Sequence, residues 1–149
     1  MKYKDAQVIN NQDLLELPVD ILVLGALEYQ IISQNVDNIK AKYILELANG
    51  PISYEAERKL FERGVIILPD VLSNAGGVLV SYFEWSQNKN GQILEVSYLE
   101  KRLKEIMEDA WKRVFRKYKE KNSKFDLRTI AYSLALERII SAEKWRGNV

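Results

Sequence analysis

Four consecutive apolar residues, Val65-Ile66-Ile67-Leu68, run directly into Pro69. A continuous apolar run of this length suits a strand covered on both faces, and a proline stops its hydrogen-bonded ladder. Asn74-Ala75-Gly76-Gly77 follows, and a helix-length stretch continues to Asn88. Glycine has no Cβ, so peptide N–H groups and a flat ligand can meet at such a turn. A strand, a polar turn and a helix form the unit of an open parallel α/β sheet. Such sheets place their ligands beyond the carboxyl ends of the strands.

Two earlier runs repeat the pattern. Val19-Asp20-Ile21-Leu22-Val23-Leu24 ends at Gly25, and Tyr43-Ile44-Leu45-Glu46-Leu47-Ala48 ends at Asn49-Gly50-Pro51. Both predict strands, and the first is apolar enough to be buried on both faces. Ser53 to Arg63 reads as a helix: Ser53 is an N-cap, Glu55 and Glu57 lie in the first turn, Ala56, Leu60 and Phe61 are apolar, and Gly64 closes it. Strand, helix, strand in this rhythm predicts a right-handed βαβ unit and parallel strands. Upstream, Ala6 to Ile9 is a short strand or an extended lead-in, and Asn11 to Leu17 is a short helix capped by Asn11 and ended by Pro18.

Downstream of a turn at Asn90-Gly91, a long helix is expected over roughly Leu94 to Lys121, with one apolar face from Val96 to Tyr118. Its acidic residues come early and its basic ones late, which complements the helix macrodipole. Asn122-Ser123-Lys124 breaks it. Asp126 caps a closing helix with Leu127, Ile130, Ala131, Leu134, Ala135 and Ile139 inward. The fold expected is α/β: the second half of a Rossmann-like domain, with three parallel strands, flanking helices and a C-terminal helical tail.

Composition removes several chemistries. Among 149 residues there is no Cys and no His, which excludes Cys-His and Ser-His nucleophile schemes and the usual zinc ligand sets. A formal net charge of +1 gives no reason to expect a polyanionic partner, and the basic end of the long helix lacks a nucleic-acid recognition motif. No apolar run is long enough to span a membrane, so the cytoplasm is the expected location.

The motifs then point to a family. Pro69-Asp70, Asn74-Ala75-Gly76-Gly77-Val78 and Val80-Ser81-Tyr82-Phe83-Glu84-Trp85, with Gln87-Asn88, resemble the signature of the glutamate/leucine/phenylalanine/valine dehydrogenases. Ala48-Asn49-Gly50-Pro51, Leu127-Arg128-Thr129, Ala131-Tyr132 and Arg146-Gly147 are similar to the same family, so the resemblance covers nearly the whole chain. The Ala-Asn-Gly-Pro and Tyr-Phe-Glu-Trp elements favour its glutamate branch. The chain departs from the pattern where Leu24 stands for a proline and Gly25 for an alanine, and where Ile52-Ser53 replaces a threonine pair.

The resemblance implies oxidative deamination of an α-amino acid with NAD or NADP. It implies that Asn74 hydrogen-bonds the nicotinamide carboxamide, that Asn49 and Ala26 lie beside the same end of the cofactor, and that Ser81 contacts the side-chain carboxylate of glutamate. No catalytic residue is expected, because nothing here matches the family's catalytic lysine and aspartate. No Gly-x-Gly occurs either, so the phosphate-binding turn is missing. Residues 1–149 are therefore expected to form a single partial NAD(P)-binding domain, 1–90 half-Rossmann and 91–149 helical. Cofactor binding by the chain alone should be weak or absent, and catalysis absent. The alternatives are a non-catalytic assembly or regulatory module and a vestigial fragment. The strand Ile21 to Leu24 would lose its central neighbour, so the expected partner is a second copy or a complementary chain with the missing halves. The segment Tyr3 to Ile9 could instead fold back on that edge.

Overall fold

A computed structural model of the chain describes residues 7–121 and 124–148. Three parallel strands, β1 (Ile21–Leu24), β2 (Tyr43–Glu46) and β3 (Ile66–Leu68), form one sheet in the order β1-β2-β3. Leu22 lies opposite Ile44 and Ile44 opposite Ile67, so these side chains share one face. That face is sealed. Helix α2 (Tyr54–Glu62) brings Ala56 and Leu60, and the segment before β2 brings Ile31, Val36 and Ile39, all fully buried or nearly so. Arg63 fastens the two together by donating from Nη1 to Val36 O (2.7 Å) and from Nη2 to Ile39 O (2.5 Å).

The other face is covered unevenly. Leu72, Val114, Leu127 and Ile130 form a second core under β3, with Ile66 packed against it. They come from α3 (Asp70–Ser73), α5 (Val96–Glu120) and α6 (Leu127–Arg146). Nothing among the described residues extends this cover to β1, where Ile21 is 62% and Val23 51% exposed. The expectation that β1 is buried on both faces is thus corrected. Its apolar run is half core and half open surface. The described part of the N-terminal segment, Gln7 to Asn10, forms no strand, so β1 stands at the sheet edge, and Tyr3 to Ala6 lie outside the described residues.

Local signals explain most boundaries. Ser53 Oγ accepts from Ala56 N and Asp126 accepts from Thr129 N, each capping its helix. Gly64 (φ +79°) and Gly91 (φ +63°) take the left-handed conformation after α2 and after α4 (Ala75–Asn90). The short helix α1 (Asn11–Leu15) is capped by Asn10, not Asn11. Asn10 accepts from Asp13 N (2.7 Å) and its Nδ2 donates back to the Asp13 carboxylate (2.8 Å). Burial within α6 is confined to its first two turns; Ala135 and Ile139, expected inward, are exposed, and the Lys117 to Glu137 ion pair (2.6 Å) joins α5 to this part of α6. The break after α5 begins at Lys121, and Asn122 and Ser123 lie outside the described residues.

Candidate functional site

A cleft of about 650 Å3 opens beyond the carboxyl ends of β1 and β2. Its size falls in the range of small-molecule sites, about 300–1,000 Å3. The turn after β1 supplies Ala26 to Glu28, the turn after β2 supplies Leu47 to Asn49, and the start of α4 supplies Asn74 and Val78. The structure therefore brings together Ala26, Asn49 and Asn74. At the family-atypical Gly25, an added Cβ would meet only Leu47 Cβ at 3.9 Å, an ordinary contact, so the backbone there does not depend on glycine.

Asn49 and Asn74 form one unit. Asn74 Nδ2 donates to Asn49 Oδ1 (2.6 Å) and to Leu47 O (3.3 Å). Asn74 sits at the joint between α3 and α4, with φ −100° and ψ 0°, and its side chain does not cap α4. Its amide is directed across the cleft to the β2 turn instead. The pairing consumes one donor and one acceptor and leaves an amide oxygen on Asn74 and an N–H2 on Asn49. Those two groups match the donor and acceptor of a carboxamide. Gly76 and Gly77 both have negative φ, so neither is required by backbone conformation; Gly77 instead leaves open space, with no atom within 4 Å of an added Cβ.

Ser81 is not in the cleft. It lies in the second turn of α4, exposed, with Oγ donating to Gly77 O at 3.3 Å, an ordinary helical back-bond. It follows Asn74, the residue before α4, by seven positions, about two helical turns, with Val78 between them. At a rise of about 1.5 Å per residue, Ser81 is about 10 Å farther along the axis.

The densest electrostatic feature lies behind the cleft. Arg128, at the start of α6, donates from Nε to both oxygens of Glu57 (2.7 and 2.9 Å), from Nη1 to Asp70 Oδ1 (2.5 Å) and from Nη2 to Glu46 Oε2 (2.5 Å). Asp70 accepts further N–H groups from Gly50 (2.9 Å) and Val71 (2.7 Å), and its own N–H donates to Glu46 Oε2 (2.8 Å). Burial pushes Glu46 and Glu57 above the usual carboxylate range, against the pull of Arg128. Burial also acts on Asp70, but the N–H groups of Gly50 and Val71 and the guanidinium outweigh it and hold Asp70 low. Glu46 is fully buried, and its Oε1 has no partner among the described residues. Three carboxylates share one guanidinium, and the neighbouring Asp70 charge adds to the burial that raises Glu46. The signal was a glutamate inside an apolar strand, since a buried acid needs a partner. Its partner, Arg128, lies 82 residues away, beyond the reach of local pattern.

Comparison with known proteins gives a consistent result. The family model of glutamate/leucine/phenylalanine/valine dehydrogenases matches residues 1–147. The glutamate dehydrogenase of Thermotoga maritima is 46% identical over 145 residues, covering 97% of this chain and 34% of that protein. Among solved structures, glutamate dehydrogenase from Peptoniphilus asaccharolyticus is 41% identical, with a TM-score of 0.74, over 84% of this chain and 31% of the other. The hetero-hexameric glutamate dehydrogenase from Thermus thermophilus, in a Leu-bound form, is 30% identical with a TM-score of 0.84, over 95% of this chain and 34% of the other. The chain thus spans about a third of the length of the relatives it matches.

Proposed function

This chain belongs to the glutamate/leucine/phenylalanine/valine dehydrogenase family, and from that premise we propose that it carries the nicotinamide end of an NAD(P) site. The paired amides of Asn49 and Asn74 on the cleft support this reading most directly. Their free oxygen and N–H2 would grip the carboxamide and fix which face of the ring is presented. Ala26, across the cleft, would leave room for a flat ring. Ser81, farther along α4, would meet the side-chain carboxylate of a glutamate substrate laid along that helix.

The cofactor, when bound, supplies the hydride acceptor for oxidation at the α-carbon of the amino acid. The chain's own part is to bind and orient. It offers no histidine or cysteine, the buried acids Glu46, Glu57 and Asp70 are tied to Arg128, and the sequence has no Gly-x-Gly phosphate-binding turn. Residues 1–149 would accordingly be a partial NAD(P)-binding domain, α/β to residue 90 and helical beyond. It would hold the dinucleotide weakly and not deaminate glutamate unaided. Amino-acid dehydrogenation would require a complementary chain or segment carrying the rest of the cofactor domain and the substrate domain.

A second reading, an assembly module, is favoured by the bare face and free edge of β1, which invite a partner. That partner would be another copy or the complementary part. The test is glutamate-dependent reduction of NAD or NADP. Purified chain should give no turnover. A steady rate from the chain alone, lost in Ser81→Ala, would overturn the partial-site reading.

A further inference from the structure

We propose that Arg128 is a positioning residue for the cleft: it fixes the spacing between Asn49 and Asn74 by holding both ends of the turn that carries Asn49. The inference rests on the cofactor reading above for its functional meaning, but its geometry stands independently.

The turn in question runs from Glu46 to Gly50. Its first residue is the last of β2, and Arg128 Nη2 donates to that residue's Oε2 at 2.5 Å. Its last residue, Gly50, has φ +54° and donates its N–H to Asp70 Oδ2 at 2.9 Å. The opposite oxygen of Asp70 accepts from Arg128 Nη1 at 2.5 Å. One planar guanidinium therefore braces the turn at both ends, directly at Glu46 and through a single carboxylate at Gly50. Asn49 lies between the braces.

The same hub sets the other amide. Asp70 is the first residue of α3, and its N–H is held by Glu46 Oε2 at 2.8 Å. Asn74 follows four residues on and donates its backbone N–H to Asp70 O at 3.0 Å. Both members of the Asn49–Asn74 pair thus hang from Asp70, and Arg128 fixes Asp70 against Glu46. The third arm, Nε to Glu57 on α2, touches neither the turn nor α3. It serves as an internal control, because losing it loosens the hub without releasing the cleft. A lysine cannot replace the fork: a single ammonium lacks the planar array of donors that reaches three carboxylates at once.

The experiment uses the full chain, 15N-labelled, as wild type, Arg128→Lys and Glu57→Gln. The first readout needs no ligand: the Gly50 N–H and the side-chain amide signals of Asn49 and Asn74. Arg128→Lys should shift all three and speed exchange at Gly50, while Glu57→Gln leaves them in place even where it lowers the melting temperature. The second readout is titration with nicotinamide mononucleotide. Affinity should fall about ten- to a hundredfold in Arg128→Lys, the scale on which small misplacements of binding groups act, and stay within about twofold in Glu57→Gln. Should Arg128→Lys fail to fold, Asp70→Asn carries the test and should reproduce the Gly50 and Asn74 changes. A folded Arg128→Lys or Asp70→Asn chain with unmoved Gly50, Asn49 and Asn74 signals overturns the proposal. If wild type does not bind the mononucleotide, the cofactor reading fails, and the ligand-free signals still decide whether Arg128 positions the pair.

Discussion

The two faces of the sheet differ in how completely they are built. Under Leu22, Ile44 and Ile67 the chain supplies its own cover, and Ile31, Val36, Ile39, Ala56 and Leu60 are packed with almost no exposure. On the opposite face cover fades strand by strand, from Ile66 packed beneath α5 and α6 to Ile21 and Val23 standing in solvent. The cleft belongs to the finished side of this contrast at its β2 and α4 walls, where Arg128 ties four elements together. It belongs to the unfinished side at its β1 wall. Side chains at one wall of a cleft can thus be firmly placed while the opposite wall stands on a half-covered strand.

The contrast can be broken most directly in the sealed core. Ile44→Ala removes a fully buried side chain from the middle strand and should cost about 2–5 kcal/mol, read by urea unfolding. A loss below about 1 kcal/mol would mean that this face is not close-packed.

Next in size is the pH response of the Arg128 cluster. A glutamate whose folded pKa is raised favours the folded state fully below its unfolded pKa, about 4.3. That contribution is lost as pH rises toward the raised value. Asp70, held low, acts oppositely: its contribution is present above its unfolded pKa, about 3.9, and is lost as pH falls through the lower folded value. Glu46→Gln keeps the shape and removes one titration, so relative to wild type it should gain stability as pH rises from about 4.3 toward the raised Glu46 value, by about 1.4 kcal/mol for each pKa unit of upward displacement. Parallel stability curves for variant and wild type would contradict the upward displacement of Glu46 by burial.

The smallest effect on folding is expected on the open face. Val23→Lys should change stability by no more than about 0.5 kcal/mol, while reducing any self-association seen by light scattering. Leu22 is the wrong probe for this edge, since it faces the sealed core. A loss of several kcal/mol in Val23→Lys, measured on dilute chain, would show that the β1 face is covered after all.

Much of this was legible in the sequence where the cause is local. The three apolar runs became three parallel strands, and Ser53, Asp126, Gly64 and Gly91 mark helix ends by capping chemistry that acts within a turn. Asn74, which the family resemblance and no local spacing marked as a cofactor contact, lines the cleft. What failed depends on distance or on neighbours. The stretch from β1 to β2, for which no element was expected, folds without an α-helix. In that stretch Asn35 accepts from Ile32 N and donates to Gln30 O, both 2.8 Å, Tyr29 takes φ +52°, and Ile31 bridges to Ile52. Such side-chain bonds compete with helix formation, and only a 3-10 turn at Val36–Asn38 survives. Apolar content predicted cover on both faces of β1, but whether a neighbouring element reaches the second face is not written in the strand, and Ile21 and Val23 are exposed. The Arg128 cluster joins four segments and has no sequence period at all.

The central claim, that this chain holds one end of the cofactor site and not the other, is tested by following the side-chain amides of Asn49 and Asn74 during separate titrations with nicotinamide mononucleotide and with adenosine monophosphate. The expected result is that the first shifts both amides saturably and the second leaves them unmoved. Equal responses to the two, or movement only with the adenosine half, would contradict it.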